Sequence, residues 1–307
     1  MTEARQVDVA RIRRSRSAAP RARLRWTKDL PVGKHADKHH RITGARLAKD
    51  ALGRHIAFRV TTLAQVPGPR PGPEVGVDAG ITIPLALSDG EVVEHGPWPT
   101  KKEEARLLHY EQRAARRKGH RKKGRRTGRR PHKTYDQIAR IRATVKRRRD
   151  DWQHKTTTSI AETYGTVVVE ALSITNMVKS AKGTAEQPGE NVAQKAGLNR
   201  SILGEAWGRT VQLLAYKVAR RGGRLAEVPA PGTSQECAQC HTVTAGSRRT
   251  QAGFVCNDPA CGWEGNADHN AARTVPRRYR TGHALVPAAG RAVVRRASHG
   301  VKPATAR

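Results

Sequence analysis

The chain has 307 residues and carries 59 Lys or Arg against 26 Asp or Glu, a formal net charge of +33. So large a positive charge excludes an ordinary metabolic enzyme and indicates a polyanionic partner, nucleic acid above all, because an unneutralised surface would repel itself. Apolar residues make up 36% and aromatic residues 4% of the chain, which predicts a modest core with basic segments that are solvated or ordered only on binding.

The sequence contains no run of 18 apolar residues, and no basic start followed by an apolar stretch and a cleavage site. We therefore expect neither a membrane span nor a secretory signal, and no membrane partner. The expected location is cytoplasmic, with association to the nucleoid through the bound ligand.

The N-terminal part divides into three stretches. Residues 1–39 are basic, lack apolar periodicity and are expected to be disordered. Residues 40–65 alternate loosely between apolar and polar types around Gly53, the pattern of a β-hairpin. Residues 66–73 hold four prolines in eight positions, which indicates a boundary, since proline cannot continue a central strand.

A β-meander and two basic helices are predicted next. A short apolar strand reaches Asp78, Gly80 permits a turn, and a second strand follows. Residues 101–150 hold 21 Lys or Arg and 5 Asp or Glu. The flanks of this stretch have helical spacing and its centre has Gly, Pro and no apolar face, so we predict two basic helices joined by a flexible basic loop.

The C-terminal half alternates strands and helices. Residues 166–170 form an apolar, β-branched run that ends in Glu170 and is typical of a strand buried on both faces. Residues 198–220 predict one helix, residues 224–228 a further strand, and residues 267–274 the start of a last helix with Asp268 near its N-terminus. The residues beyond Pro276 are expected to form a basic, disordered tail.

The four cysteines occur as two pairs, C-x2-C and C-x4-C, separated by fifteen residues. Paired thiolates on short turns favour one tetrahedral zinc ion, and four thiolates leave it no open position, so the expected role is structural. Buried free thiols or a disulfide are the alternatives, and His241 or His269 could replace a cysteine as ligand. The predicted zinc ligands are Cys237, Cys240, Cys256 and Cys261.

Three acidic residues follow or open elements in an otherwise apolar context: Asp78, Glu170 and Asp268. Phosphodiester hydrolysis uses divalent metals held by carboxylates, and a carboxylate at the end of a buried strand is costly unless it is paired or binds a cation. Each residue also has a simpler interpretation. Asp78 could form a turn, Glu170 could point to solvent, and Asp268 could cap a helix.

The stretches EVGVDAG, VVVEAL and GTSQECAQC…FVCNDPACGWEGNADHNAA resemble the RuvC-like nuclease core and zinc ribbon of the TnpB (OrfB) transposase family of insertion sequences, relatives of type V CRISPR effector nucleases. The resemblance spans residues 40–275. It implies that Asp78, Glu170 and Asp268 are the catalytic triad and bind Mg²⁺ or Mn²⁺. It also implies RNA-guided DNA cleavage, with a guide RNA and a DNA target as partners.

The resemblance further implies an α/β fold, with a ribonuclease H-like (RuvC-like) mixed-sheet core and a partial N-terminal β-barrel. On that basis residues 40–65 are barrel strands, 74–275 the nuclease core, 101–164 a basic helical insertion, 233–265 the zinc ribbon, and 276–307 the tail. Ala171 stands where the family usually has an acidic residue, and the second cysteine pair has four intervening residues where two are usual. Nothing in the chain resembles the family's full helical recognition lobe, which we expect to be missing.

Basic side chains are predicted to contact the nucleic acid backbone, from the helical insertion and from the ribbon. Two alternatives to the nuclease remain: a non-cleaving nucleic-acid-binding remnant or guided DNA-binding regulator, and a general RNA-binding zinc-ribbon protein. The predicted contacts are Arg116, Arg117, Lys118, Arg121, Lys122, Lys123, Arg125, Arg126, Arg147, Arg148, Arg248 and Arg249.

Overall fold

The computed structural model describes residues 6–7, 22–23, 40–62, 67–119 and 129–283. These residues divide into two compact units, with the boundary between residues 65 and 66. Most of the stretch expected to be disordered at the N-terminus, residues 120–128 of the predicted basic loop, and residues 284–307 of the predicted tail lie outside the described residues.

The first unit contains two antiparallel strand pairs. Two-residue strands β1 (Gln6–Val7) and β2 (Ala22–Arg23) pair with each other. The predicted hairpin is formed by β3 (His40–Asp50) and β4 (Gly53–Thr62), and Gly53 adopts a φ of 138°, which a side chain would disfavour. The structure thus gives a two-stranded hairpin here, and its membership in a barrel stays a prediction.

The second unit is built on a mixed five-stranded sheet in the order β7-β6-β5-β8-β9. Strands β5, β6 and β7 are antiparallel neighbours, whereas β5, β8 and β9 run parallel. Parallel neighbours need long connections, and helices supply them here. The strands are β5 (Glu74–Asp78), β6 (Leu85–Leu87), β7 (Val92–Val93), β8 (Thr166–Ala171) and β9 (Arg224–Pro229).

Helices cover both faces of this sheet, because its central strands are apolar on both sides. One face packs the C-terminal part of α2 and α5 against the valines of β5 and β8 in the main core cluster. The other face packs α6 against β5, β6 and β8. The helices are α1 (Lys101–Gly119), α2 (Arg129–Thr163), α3 (Ile174–Met177), α4 (Val192–Glu205), α5 (Trp207–Ala219) and α6 (Ala267–Arg278).

The two basic helices are present, and α2 begins within the segment predicted as a loop. Its start at Arg129 places Pro131 in the first helical turn, where the missing N–H of proline costs no intrahelical bond. Among the described helices, none is long and apolar enough to cross a membrane.

The single helix predicted over residues 198–220 is wrong. Ala206 adopts a left-handed conformation with a φ of 53° and separates α4 from α5. The side-chain amide of Gln153 in α2 donates to the carbonyl oxygens of Glu205 and Ala206 at 3.1 and 3.2 Å. The break between the two helices is thus bonded to a side chain of a distant helix.

The tail predicted from Pro276 onward also needs correction. Helix α6 continues through Pro276 to Arg278, and a π-helical turn extends the ordered chain to His283. Val275 and Pro276 are buried, while Arg277 and Arg278 donate to the two carboxylate oxygens of Glu236 at 2.6 and 2.8 Å. Burial and these ion pairs hold the helix beyond the proline.

Candidate active site and thiol cluster

Two of the three acidic residues lie side by side at the carboxyl edge of the sheet. Val77 of β5 pairs with Val169 of β8 in parallel register, so the residues that follow them, Asp78 and Glu170, are level with each other. Both valines belong to the core cluster on the α5 face. Because side chains alternate along a strand, Asp78 and Glu170 are directed to the opposite face, where α6 packs.

Gly76 allows α6 to approach this face closely. A Cβ at Gly76 would collide with the carbonyl oxygen of Ala272 and would lie 2.6 Å from Cγ of Pro276. Glycine is therefore required by a close approach of two backbones. The close packing sets the position of the first turn of α6, which carries Asp268.

Asp268 is 7% exposed and does not cap the helix. The N-cap is Asn266, whose side-chain oxygen accepts hydrogen bonds from the backbone N–H groups of Asp268 and His269 at 2.9 and 3.0 Å. The carboxylate of Asp268 is thus left for another partner. This excludes the simpler interpretation of Asp268 as a capping residue.

The three carboxylates interact electrostatically. Burial, together with the negative charges of Glu170 and Asp268, raises the pKa of Asp78 to about 7. Burial also raises the pKa of Glu170, although a hydrogen bond with Thr233 opposes the shift. Two neighbouring carboxylates thus disfavour the ionised form of Asp78, an arrangement that a bound cation would stabilise.

Arg248 supplies positive charge at this site. Its Nη2 atom lies 3.2 Å from Oδ1 of Asp268 and donates to the carbonyl oxygen of Gln251 at 2.8 Å. Its charge lowers the pKa of both Asp78 and Glu170. The sequence predicts that Arg248 contacts phosphate, and no motif indicates its pairing with Asp268.

The four cysteine side chains meet at one point. They are not disulfide bonded, and their sulfur atoms all lie within 4.8 Å of one another, with Cys237 3.8 Å from Cys261 and Cys240 3.5 Å from Cys256. A hydrogen bond with the Thr242 hydroxyl lowers the pKa of the Cys240 thiol to about 6. The cluster could hold one metal ion without either neighbouring histidine.

Within the described residues, these thiols are the one group of three or more metal-ligating side chains whose ligand atoms all lie within 4.8 Å of one another. The carboxylates of the acidic triad are therefore more widely spaced than the sulfur atoms.

Backbone hydrogen bonds shape the segment around the thiols. Strands β10 (Gly253–Val255) and β11 (Glu264–Asn266) form a hairpin that leads directly into α6. Single antiparallel bridges join Glu236 to Val243 and Arg248 to Phe254. The second bridge places the backbone of Arg248 beside the thiol cluster while its side chain extends to Asp268.

Asn270 fastens this segment to α6. Its Nδ2 atom donates to the carbonyl oxygen of Glu236 at 2.7 Å, and its Oδ1 atom accepts from the N–H of Ala238 at 2.8 Å. Asn270 is completely buried. Sequence reasoning missed this contact, for which the only signal was an amide two residues after Asp268.

The predicted nucleic-acid contacts are dispersed, and the structure describes only some of them. Arg116, Lys118, Arg147 and Arg249 are exposed. Arg148 instead joins α2 to the start of α1, because it donates two hydrogen bonds to the carboxylate of Glu103. These bonds are the largest cause that lowers the pKa of Glu103 to about 2. The five predicted contacts in residues 120–128 lie outside the described chain: Arg121, Lys122, Lys123, Arg125 and Arg126.

Comparison with known families identifies the class. Residues 57–181 match a family model described as "Probable transposase" (OrfB_IS605), and residues 207–275 match one described as "Cas12f1-like, TNB domain". The mixed-sheet α/β fold and these two matches define a protein of the transposase class. The chain belongs to the TnpB (OrfB) family of insertion-sequence proteins.

Two relatives are similar over most of the chain. "Putative RNA-guided DNA endonuclease InsQ" of Escherichia coli (strain K12) is 36% identical over 69% of this chain and 50% of its own length. A protein of Streptomyces pristinaespiralis described as "Putative RNA-guided DNA endonuclease" is 29% identical over 82% of this chain and 55% of its own length. The chain thus spans about half the length of the curated relatives it matches.

Solved structures with a related backbone include two CRISPR effector complexes. A Cas12f1–sgRNA–target DNA complex has a TM-score of 0.37 at 17% identity, covering 75% of this chain and 55% of that chain. A CRISPR–Cas12f ternary complex has a TM-score of 0.38 at 19% identity, covering 72% of this chain and 41% of that chain.

Proposed function

We propose that this protein is an RNA-guided DNA endonuclease that cleaves phosphodiester bonds with divalent metal ions. One observation carries the proposal: Asp78, Glu170 and Asp268 meet at the carboxyl edge of the sheet, where burial and the other two charges raise the pKa of Asp78 to about 7. The names of the relatives support the same activity, with a guide RNA and a DNA target as partners.

The strand order supports a ribonuclease H-like core for residues 74–275. Three antiparallel strands are followed by two strands parallel to the first of them, so that Asp78 on the first strand is level with Glu170 on the fourth. The basic helices of residues 101–164 are then an insertion between the third and fourth strands. Residues 233–265 are a ribbon inserted before the helix of Asp268.

The residues present fit Mg²⁺ or Mn²⁺, because carboxylate oxygens are the ligands that these hard cations prefer. Such ions, when bound, activate water and stabilise the leaving oxygen of the scissile phosphate. Asp78, Glu170 and Asp268 would hold the ions. Arg248, paired with Asp268, neutralises part of the charge of the three carboxylates.

The thiol cluster fits zinc. A tetrahedral ion with Zn–S bonds of 2.3 Å separates its sulfur atoms by about 3.8 Å, and the measured separations are 3.8 and 3.5 Å. Four thiolates leave no position for water, so the zinc is structural and shapes the ribbon that carries Arg248. The expected zinc content of the protein is one ion per chain. Cys256→Ser should lose this ion, and His241→Ala should retain it.

The test is cleavage with a guide supplied by the native locus. The full chain is expressed with its flanking DNA, the RNA that copurifies is sequenced, and Mg²⁺-dependent cleavage of a matched target is measured beside Asp78→Ala. The matched control is Asp136→Ala, an exposed acid on α2. We expect a defined RNA and cleavage that Asp78→Ala abolishes and the control preserves; bound nucleic acid without cleavage by the wild type would contradict the proposal.

A further inference from the structure

The outward side of α6 and of the turn that follows it carries a line of basic side chains. Arg273 and Arg277 of α6 and Arg280 of the following turn, here called the arginine stripe, recur at intervals of four and three residues, which places them on one side. The opposite side of α6 is buried, since Ala271, Ala272, Thr274, Val275 and Pro276 pack against the sheet.

The arginine stripe lines a polar cavity of about 360 Å³. Glu74, at the start of β5, also lines this cavity, whereas Asp78 and the candidate active site lie at the end of the same strand. The exposed His241, from the first cysteine turn, forms part of another wall. The cavity is therefore a separate site, at the far end of the helix that begins with Asp268.

Each guanidinium of the stripe contacts a neighbouring side chain. Arg277 donates to the buried carboxylate of Glu236 at 2.6 Å. The guanidinium carbon of Arg273 lies 5.8 Å from the ring centroid of Trp263. The Nε atom of Arg280 lies 3.3 Å from a carboxylate oxygen of Glu74.

These contacts leave most of the five N–H donors of each guanidinium for an anion. The three arginines line the cavity together with the one carboxylate of Glu74, so the lining has an excess of positive charge. Guanidinium groups match phosphate oxygens with paired hydrogen bonds. The lining therefore favours the phosphates of a nucleic acid backbone as its ligand.

We propose that the arginine stripe and its cavity bind backbone phosphates of the DNA strand that is cut at the carboxylates. The assignment to the cut strand rests on the proposed nuclease function. Nine residues separate Asp268 from Arg277, which is about 14 Å along a helix with a rise of 1.5 Å per residue. A strand lying along α6 would therefore place a phosphate in the cavity within a few nucleotides of the cut.

The first test measures binding without cleavage and does not depend on the proposed function. The full-length variant Arg273→Gln/Arg280→Gln binds a fluorescent single-stranded DNA oligonucleotide in buffer without Mg²⁺, over a range of salt concentrations. Arg277 is kept because Glu236 is buried and needs its partner. The matched control is Arg200→Gln/Arg209→Gln, two exposed arginines on α4 and α5.

We expect the stripe variant to bind about tenfold more weakly, with a salt slope reduced by about 1.4, because two phosphate contacts are lost. Unchanged binding, or an equal loss in the control, would overturn the proposal. If the double variant does not fold, Arg280→Gln replaces it, since that side chain is 68% exposed. A loss confined to RNA oligonucleotides would overturn the assignment to DNA.

The second test locates the strand in the guided complex. Single phosphates of the target are replaced in turn by neutral methylphosphonates. We expect one replacement within a few nucleotides of the cut to weaken binding by the wild type and to have no further effect in the stripe variant. Equal effects in both proteins would overturn the placement, whereas a wild type that binds but never cuts would overturn the nuclease function alone.

Discussion

Gly76 in β5 and Ala272 in α6 approach so closely that the carbonyl oxygen of Ala272 occupies the space of a Gly76 side chain. Pro276 has no N–H to bond that carbonyl, and its own ring packs on the same glycine. The distance between α6 and the sheet, and with it the position of Asp268 relative to Asp78, therefore depends on the absence of a Cβ atom at Gly76.

Gly76→Ala should displace α6 and destabilise the protein by about 2–4 kcal/mol, because the collision involves backbone and a buried ring that cannot turn aside. Chemical denaturation measures the free energy of unfolding. Gly197→Ala is the matched control within α4, where a Cβ meets only the end of Arg200 at 3.9 Å. That change should be neutral or stabilising by up to about 1 kcal/mol; equal effects of both substitutions would show that close packing at Gly76 is unimportant.

Asp78 predicts how the stability of the metal-free protein depends on pH. Its pKa is about 7 in the fold and about 3.8 when exposed, so the folded state binds the proton more tightly. The unfavourable contribution of the ionised carboxylate is absent below about pH 4, grows as pH rises, and is complete above about pH 7.

Asp78→Asn removes this contribution, so the variant should gain stability over the wild type between pH 4 and pH 7, by up to about 4 kcal/mol. Thermal unfolding without divalent ions, measured across that range, checks the expectation. Asp136→Asn, on the exposed face of α2, should shift the unfolding temperature equally at every pH. Curves for Asp78→Asn that stay parallel to the wild type would contradict the coupling.

The position of Arg248 predicts that its positive charge competes with divalent ions for the three carboxylates. Arg248→Gln removes the positive charge that lowers the pKa of Asp78 and Glu170, so the metal-free protein should lose about 1–3 kcal/mol at pH 8. Mg²⁺ should then raise its unfolding temperature by more than it raises that of the wild type. Arg249→Gln, the exposed neighbour, should match the wild type in both respects; a smaller Mg²⁺ effect in Arg248→Gln would mean that Arg248 assists ion binding instead.

The contrast between Asp78 and Arg248 explains how far the sequence predicts the candidate site. Asp78 and Glu170 end apolar strands, and adjacent parallel strands bring their carboxyl ends to one edge, so local patterns suffice to predict their proximity. Arg248 and Asp268 are twenty residues apart, and two of the four clustered cysteines lie in the segment between them. Their contact depends on how that segment docks on α6, which no periodicity records.

The break between α4 and α5 is a second example. The apolar residues of 198–220 have helical spacing, which predicts a continuous helix, although Gly204 and Gly208 lie on either side of the junction. The left-handed Ala206 is held by Gln153, about fifty residues earlier in the chain. Tertiary hydrogen bonds here override local propensity, and only the assembled structure reveals them.

Asn270 predicts that the docking of the ribbon can be weakened without disturbing the sheet. Asn270→Ala leaves the carbonyl of Glu236 and the N–H of Ala238 without their partner in a buried position, at a cost of about 2–4 kcal/mol. Hydrogen exchange should accelerate in residues 236–243 and remain slow in β5 and β8. Asn257→Ala is the control, since it removes one exposed hydrogen bond to Ala245. Faster exchange in the sheet as well would mean that the ribbon and the core unfold as one unit, because the loss at Asn270 would then propagate through α6 to Gly76.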